Sequence, residues 1–325
     1  MKMIRWGIVG PGKIARKFAR TIARLPQCEI IAVCGTSMEK AQAFADEFGI
    51  AHAFCDNHQM AISDEIDAVY IATPHAFHKS CAEIYIKAGK HILCEKPLCV
   101  NARQAEQLQA LAQEHQVFLM EAMWTQFLPS LNKAKELVQS GAIGEICGLH
   151  GSLCASVPTD CARMYRNDLA GGALLDTGIY PLQFAQAILG DPLEILALGK
   201  VQGDVDHRVE MLLRYENNVI ATLRTAMDHR EPRDAYIFGT KGHIRIPTLI
   251  GANEVYLGIG KEPETCYECA CLGNGFEEEI LEVCQCIQAG KTLSDIHPMT
   301  NTITVLKQMD EIRRQIGLRY GADDE

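Results

Sequence analysis

Residues 4–15 read IRWGIVGPGKIA, a short apolar run that leads into a G-x-G-x-x-A pattern at positions 10–15. Apolar residues then recur at helical spacing as far as Leu25, just before Pro26. In a strand, tight turn and helix of this kind, the first glycine makes the turn, the second lets a pyrophosphate approach the backbone, and the small third residue lets the helix pack on the strand. The stretch therefore predicts a nucleotide-binding βαβ unit, with a purely structural tight turn as the alternative.

Strand and helix patterns keep alternating after this unit. Apolar runs such as Ala68–Thr73 and His91–Cys94 are followed by helical patterns such as His78–Ala88 and Ala102–His115. Strands that alternate with helices of about ten or more residues pair in parallel through right-handed crossovers. Residues 1–121 are therefore predicted to form an α/β domain with a doubly wound parallel sheet of the Rossmann type, which binds NAD(P) at the carboxyl ends of its strands.

From about residue 145 the pattern changes to short apolar runs joined by tight turns. Val209–Tyr215 and Val219–Thr225 flank one such turn, and Ala235–Phe238 precedes another. Helical patterns interrupt these runs, for example at Leu174–Leu189. This texture is typical of antiparallel pairing. Residues 122–325 are therefore predicted to form a second, α+β domain with an open, mainly antiparallel sheet.

The composition argues against two classes of partner. The chain of 325 residues carries 31 Lys and Arg against 41 Asp and Glu, a formal charge of −10, so binding to nucleic acid is not expected. No stretch reaches the roughly 18 uninterrupted apolar residues of a membrane span. The first residues run into strand-like sequence without the apolar segment of a signal peptide. We therefore expect a cytoplasmic protein without a membrane partner.

The 14 cysteines are interpreted as reduced, small core residues rather than as disulfides. Their densest cluster is Cys266-x-x-Cys269-x-Cys271. This cluster lacks both a second C-x-x-C pair and a histidine at ligand spacing, so the sequence predicts no metal site.

The choice of cofactor depends on the end of the second predicted strand, where the sequence reads Cys34-Gly-Thr-Ser-Met-Glu-Lys40. An Asp or Glu at this strand end binds the adenosine ribose of NAD and repels the 2′-phosphate of NADP. That acid is missing here. Thr36 and Ser37 offer hydroxyl donors and Lys40 offers a positive charge, so NADP is favoured over NAD.

Three further segments fall at predicted strand ends or helix starts: ATPHAFH at 72–78, AGKHILCEKP at 88–97 and GGALLDTGIYP at 171–181. With the glycine turn they resemble the Gfo/Idh/MocA oxidoreductase family, whose members carry an E-K-P motif and a D-x-G-x-H/Y motif on a Rossmann domain followed by an open-sheet domain. The segments at 120–125, 239–242 and 309–320 are most similar to its dimeric dihydrodiol dehydrogenase branch and to its NADP-dependent sugar dehydrogenases.

The resemblance implies how the chemistry is divided. Moving a hydride from a carbinol carbon requires a base for the hydroxyl proton and positive charge near the developing alkoxide. Lys96 is expected to hold the substrate oxygen, and Tyr180 is expected to be the acid/base at a position where other branches have histidine. A phenol has a pKa near 10, so a cation within about 4–6 Å is needed to favour phenolate. Asp176, one helical turn before Tyr180, is expected to hydrogen-bond Lys96 or the substrate.

The motif positions also imply a cofactor-binding set. It consists of Gly10, Gly12, Lys13, Ile14, Thr36, Ser37, Lys40, Thr73, Pro74, His75, His78, Glu95, Lys96, Trp124 and Arg163. Several alternatives stay open. His78 either binds a cofactor phosphate or fixes its loop, and His75 either contacts substrate or lies on the surface. The alternatives to catalysis are an exposed strand-end lysine for Lys96, a helix-dipole carboxylate for Asp176 and a packing residue for Tyr180.

The predicted function is that of an NADP-dependent oxidoreductase acting on a secondary alcohol or carbonyl of a cyclic polyol, sugar or trans-dihydrodiol. One alternative is a family dehydrogenase acting on inositol or on an amino or uronic sugar. The other is a non-catalytic NADP sensor. Gln126 stands where relatives usually have arginine, which leaves the substrate open. The second domain is expected to bind substrate. Because relatives pair through its open sheet, it is also expected to form a homodimer.

Overall fold

The structure is a computed structural model that describes residues 3–324. The chain divides into two compact units: one contains the chain up to Met123 together with Phe276–Ile303, and the other contains Trp124–Gly275 and the chain from Thr304 onward. The division at Met123 lies close to the predicted boundary at 121. The predicted domain 122–325 is not continuous, however, because Phe276–Ile303 returns to the first unit. Helical periodicity indicated a helix there but carries no information about which sheet the helix packs against.

The first unit is built on a six-stranded sheet. Its strands are β1 (Ile4–Val9), β2 (Cys28–Cys34), β3 (His52–Phe54), β4 (Ala68–Ile71), β5 (His91–Glu95) and β6 (Leu119–Ala122). Their order is β3-β2-β1-β4-β5-β6 and every pair is parallel. This is the predicted doubly wound Rossmann arrangement, whose order reverses between β1 and β4. The short strand β3 was not predicted.

Helices connect these strands. They are α1 (Lys13–Ile22), α2 (Met38–Phe48), α3 (Asn57–Ala61), α4 (His78–Lys87) and α5 (Ala102–Glu114). Local sequence fixes several of their ends. The Ser37 and Asn101 side chains accept backbone N–H groups at the starts of α2 and α5, and Gly49 ends α2 with φ +68°. The helix predicted at His78–Ala88 is α4, which ends one residue earlier than predicted, so this prediction is confirmed.

Aromatic packing and the returning segment complete the first core. The Phe18 ring stacks on Tyr70 at 3.8 Å between centroids and meets Trp6 edge-on at 5.4 Å. The returning helix α8 (Glu277–Gln288) places the Cys284 thiol 3.4 Å from that of Cys28. After this helix, the carbonyl of Thr292 accepts the N–H of Leu119 at 3.1 Å, so the returning chain lies along the edge strand β6.

The second unit is built on an eight-stranded sheet. Its strands are β7 (Ile146–Cys154), β8 (Glu194–Gln202), β9 (Val205–Arg214), β10 (Ile220–Ala226), β11 (Ala235–Gly239), β12 (Gly242–Ile246), β13 (Glu254–Ile259) and β14 (Thr265–Glu268), in the order β14-β13-β12-β11-β7-β10-β9-β8. All pairs are antiparallel except β7 with β10. The prediction of an open, mainly antiparallel sheet is confirmed.

The two faces of this sheet differ. Helix α7 (Ile179–Leu189) packs on one face, where a Cβ added to Gly151 would lie 3.6 Å from Pro181. The remaining helices are α6 (Pro129–Gln139) and α9 (Met299–Ile316). The other face exposes large apolar side chains from several strands: Leu196, Leu198, Leu212, Ile220 and Phe238. Of the helices between residues 3 and 324, none is long and apolar enough to cross a bilayer.

Candidate active site

The glycine turn after β1 leaves open space beside its backbone. Gly10 has φ +88°, and a Cβ there would lie 2.8 Å from the carbonyl oxygen of Ala72, so only glycine fits without strain. A Cβ at Gly12 would meet no described atom within 4 Å. Lys13 and Ile14 are exposed on the first turn of α1. A helix N-terminus beside an open glycine backbone fits a pyrophosphate group.

The end of β2 carries the residues predicted to select the cofactor. Ser37 caps α2 by accepting the N–H of Lys40 at 3.4 Å. Thr36 and Lys40 are exposed beside this cap. Hydroxyl groups and a lysine at a helix N-terminus, without a carboxylate on the strand end itself, fit a 2′-phosphate better than a bare ribose.

The loop after β4 is held from within by His78, which is fully buried. Its Nδ1 lies 2.8 Å from the carbonyl oxygen of Pro97, and its Nε2 lies 2.9 Å from that of Thr73. Burial lowers the pKa of the ring. Because both ring nitrogens face protein carbonyls, His78 fixes the loop and is not placed to contact a phosphate, so its assignment to the cofactor-binding set is corrected. His75 is buried rather than on the surface, while Thr73 and Pro74 are half-buried.

The E-K-P segment follows β5. Glu95 is buried and turned inward, where it accepts the Tyr70 hydroxyl, and burial raises the pKa of its carboxyl group. Lys96 is half-buried directly after the strand, and the Lys96–Pro97 peptide is cis. Within the first unit, Lys96 therefore stands at the same carboxyl edge of the sheet as the glycine turn.

A buried polar cluster supports this segment, and sequence reasoning missed it. Glu121, at the end of β6, accepts the Leu98 N–H at 2.9 Å through one oxygen. Its other oxygen lies 3.1 Å from His297 Nε2 and accepts the Thr302 hydroxyl at 3.1 Å. His297 lies 176 residues away in sequence. No local pattern joins residues that far apart, so only the fold shows the pairing.

In the second unit, the D-x-G-x-Y motif starts as a π-helical turn, Leu174–Gly178, and continues into α7. Such turns are frequent at functional sites. Tyr180 is half-buried on the first turn of α7. Asp176 pairs with both terminal nitrogens of Arg163, at 3.1 and 3.4 Å. The sequence singled out both residues but did not predict that they pair with each other.

Trp124 lies against two glycines with left-handed backbone. A Cβ at Gly275, with φ +89°, would lie 2.8 Å from the indole, and one at Gly251, with φ +72°, would lie 3.6 Å from it. The indole Nε1 donates to the Tyr180 hydroxyl oxygen at 3.3 Å. Trp124 was assigned to cofactor binding from the sequence, and its contact with the predicted acid/base is an additional finding.

Among the described residues, one group of possible metal ligands comes together: Cys154, His229 and Glu231, with donor atoms within 4.8 Å. Glu231 already accepts Arg224 at 2.8 Å and lies 2.9 Å from His229, whose other nitrogen faces Asp228 at 3.0 Å. The two carboxylates raise the pKa of His229. These contacts account for the group as an ion-pair network.

Comparison with known proteins identifies the family. The family described as "Oxidoreductase family, NAD-binding Rossmann fold" matches residues 4–123, and "GFO/IDH/MocA C-terminal domain" matches residues 131–245. Trans-1,2-dihydrobenzene-1,2-diol dehydrogenase from Mus musculus is 31% identical, covering 98% of this chain and 99% of its own. The enzyme of that name from Xenopus tropicalis is 32% identical, covering 97% and 99%.

Solved structures agree with this assignment. A 3-ketoreductase from Actinomadura kijaniata, crystallised with NADP and TDP-benzene, has a TM-score of 0.88 and 26% identity, covering 97% of this chain and 98% of its own. An aldose-aldose oxidoreductase from Caulobacter crescentus has a TM-score of 0.89 at 22% identity, with 97% of each chain covered, and shares the fold.

Proposed function

This chain belongs to the Gfo/Idh/MocA oxidoreductase family, and from that premise we propose that it is an NADP-dependent dehydrogenase or reductase. Its proposed substrate is a secondary alcohol, or the corresponding carbonyl, of a cyclic polyol, sugar or trans-dihydrodiol. The named activities of its relatives support this range, since they include a dihydrodiol dehydrogenase and a 3-ketoreductase. The cytoplasm stays the proposed compartment, where the 14 cysteines would remain reduced.

The proposed cofactor site follows the carboxyl edge of the parallel sheet. The turn at Gly10 and Gly12, with the first residues of α1, is proposed to hold the pyrophosphate. Thr36, Ser37 and Lys40 are proposed to hold the 2′-phosphate, supported by the exposure of Thr36 and Lys40 at the start of α2. NADP supplies or accepts the hydride when it is bound.

Three side chains are proposed to handle the substrate hydroxyl. Lys96 places positive charge next to the oxygen, so that charge developing on it is stabilised. Tyr180 takes the hydroxyl proton during oxidation and returns it during reduction. Asp176, which is paired with Arg163, is proposed to hydrogen-bond the substrate or Lys96. The observation that carries the proposal is the position of Lys96 directly after β5, at the sheet edge that bears the glycine turn.

A substrate panel read at 340 nm tests this function. The panel contains trans-dihydrodiols, cyclic polyols, neutral sugars and a uronic sugar, the last to test the alternative of a uronic sugar dehydrogenase. We expect turnover with NADP on at least one class. Replacing Lys96 by methionine, or Tyr180 by phenylalanine, should lower kcat by about 10²–10⁴.

Lys133→Met serves as the control, because this lysine pairs with Glu136 on the outside of α6. It should keep the activity of the unmodified chain. Unchanged turnover in the Lys96 variant would refute the catalytic assignment. Tight NADP binding without turnover on the whole panel would instead favour the sensor alternative.

We also propose that the chain forms a homodimer through the open face of the second sheet. Leu198 and Leu212 on this face are 79% and 47% exposed. Exposed apolar side chains on adjacent strands are typical of an interface rather than of a solvated face. Size-exclusion chromatography with light scattering should give twice the 35.9 kDa of one chain. A Leu198→Asp variant should give one chain, whereas Leu272→Asp, in an exposed loop, should not change the mass.

A further inference from the structure

The turn Gly171–Gly172, which opens the helix bearing the D-x-G-x-Y motif, is tightly enclosed. A Cβ at Gly171 would lie 2.5 Å from the carbonyl oxygen of Arg163. Gly172 has φ +117°, and a Cβ there would lie 2.1 Å from a carboxylate oxygen of Asp206. Both positions therefore require glycine, and Gly172 packs directly against the Asp206 carboxylate.

Asp206 acts on the start of that helix from a neighbouring strand. It is the second residue of β9 and is fully buried. Its Oδ2 accepts the N–H of Leu174 at 2.6 Å. The first N–H groups of a helix have no partner within the helix, and a carboxylate satisfies them well because it also interacts favourably with the helix dipole. A residue far away in sequence thus caps the helix.

The C-terminal segment holds the same turn from a second direction. The buried Tyr320 hydroxyl donates to the carbonyl oxygen of Gly171. The Arg313 guanidinium lies 5.2 Å from the centre of the Tyr320 ring, and Asp323 accepts both Arg313 and the Tyr320 N–H. This segment is therefore held by its own ion pair and hydrogen bond as well as by its contact with the turn.

We propose that Asp206 and Tyr320 are positioning residues, which fix the turn from which the helix carrying Tyr180 starts. The inference rests on the proposed function, because it assigns these residues to the placement of the acid/base. A helix moves as a rigid body over a few residues, so a displaced first turn displaces Asp176 and Tyr180 with it. Neither residue belongs to the E-K-P or D-x-G-x-Y motif.

The experiment combines kinetics with hydrogen exchange on the full-length chain. Tyr320→Phe removes only the hydroxyl, and Asp206→Ala removes the acceptor. Each should lower kcat about tenfold at pH 8 while the dissociation constant for NADP stays within twofold. Asp206→Asn keeps an acceptor oxygen and should recover kcat to within about threefold. Exchange of the Leu174 amide should be at least tenfold faster in Asp206→Ala.

Tyr215→Phe is the matched control, because it also removes a buried tyrosine hydroxyl from the second unit and should leave kcat and exchange unchanged. Unchanged Leu174 exchange in Asp206→Ala would overturn the capping role. Faster exchange with normal kcat would overturn the positioning role. If the unmodified chain has no dehydrogenase activity, the proposed function fails, and with it the catalytic part of the inference; the exchange rates still decide whether Asp206 caps the helix.

Discussion

The indole N–H of Trp124 donates to the hydroxyl oxygen of Tyr180 across 3.3 Å. A donor aimed at this oxygen stabilises the phenolate more than the phenol, because the phenolate is the stronger acceptor. Trp124 thus has a chemical role in addition to any contact with cofactor or substrate. The two glycines around the indole matter for the same reason, since they admit its ring.

Replacing Trp124 by phenylalanine should weaken the acid/base. Without the donor, phenolate forms less readily, so the alkaline rise of kcat in the oxidation direction should move upward by up to about one pH unit. The pH profile of kcat measures this shift. In a Tyr180→Phe background the same replacement should add no further change. An unmoved profile would show that the hydrogen bond does not influence the acid/base.

Gly275→Ala should destabilise the chain more than Gly260→Ala. Both glycines have positive φ, so each substitution carries a backbone cost of about 1 kcal/mol or more. The Cβ at Gly275 additionally meets the Trp124 ring at 2.8 Å, whereas that at Gly260 meets no described atom within 4 Å. Urea unfolding and kcat are the measurements. Equal effects of the two substitutions would contradict the close packing of the indole.

Thr36→Asp should shift the cofactor preference toward NAD. A carboxylate here repels a 2′-phosphate and accepts a ribose hydroxyl. We expect the ratio of kcat/KM for NADP to that for NAD to fall by about tenfold or more. Thr36→Asn is the uncharged control and should change the ratio much less. If both variants behave alike, the 2′-phosphate lies elsewhere.

Removing the Glu121 carboxylate should destabilise the first unit. In Glu121→Ala, the Leu98 N–H, His297 and Thr302 all lose a buried acceptor, which costs about 3 kcal/mol or more. Glu121→Gln keeps one of the two acceptor oxygens and should lose clearly less. Denaturant titration gives both values. A loss below about 1 kcal/mol in the alanine variant would mean that the cluster adds little to stability.

Asp206 makes folding stability depend on pH in a defined direction. Burial raises the pKa of its carboxyl group to about 6 from 3.8, and the N–H groups of Leu174 and Ala173 and the charge of Arg313 only partly oppose this. Asp206 therefore binds its proton more tightly in the folded chain than in the unfolded chain. This contribution is fully present below pH 3.8 and is lost as the pH rises through 6.

In Asp206→Asn this pH dependence should be absent. As the pH rises from 3.5 to 7.5, the unfolding free energy of the variant minus that of the unmodified chain should increase by about 2–3 kcal/mol. Urea unfolding at several pH values measures it. Among the described residues, Tyr320 and Arg313 also act electrostatically with this carboxylate, and the pKa of each is raised above its usual value, so neither titrates in this range. A difference that stays constant with pH would show that the carboxyl group titrates normally.

The parallel pairing of the first sheet and the carboxyl-edge placement of Lys96 were predictable because their signals are local. Alternating periodicities imply crossovers, and the G-x-G turn implies a helix start. Thr36 and Ser37 were likewise found from strand-end chemistry alone. These predictions need only neighbours in sequence and general rules of chain geometry.

Other features depend on contacts between distant residues. The sequence placed His78 at the start of a helix, but only the carbonyls of Thr73 and Pro97 show that both its nitrogens are used. Asp206 lies in an ordinary strand sequence, and its role appears only when β9 lies beside Gly172. The return of Phe276–Ile303 to the first unit was missed for the same reason.

The split first unit also sets an order of events during synthesis. When a ribosome has produced the chain as far as Gly275, all six parallel strands exist, yet α8 and His297 have still to be translated. Glu121 and the thiol of Cys28 then have no partners from the later segment. The nascent first unit therefore stays incomplete until residues 124–275 of the second unit have been translated, and a chain truncated before position 276 is expected to be a target for chaperones rather than a free-standing domain.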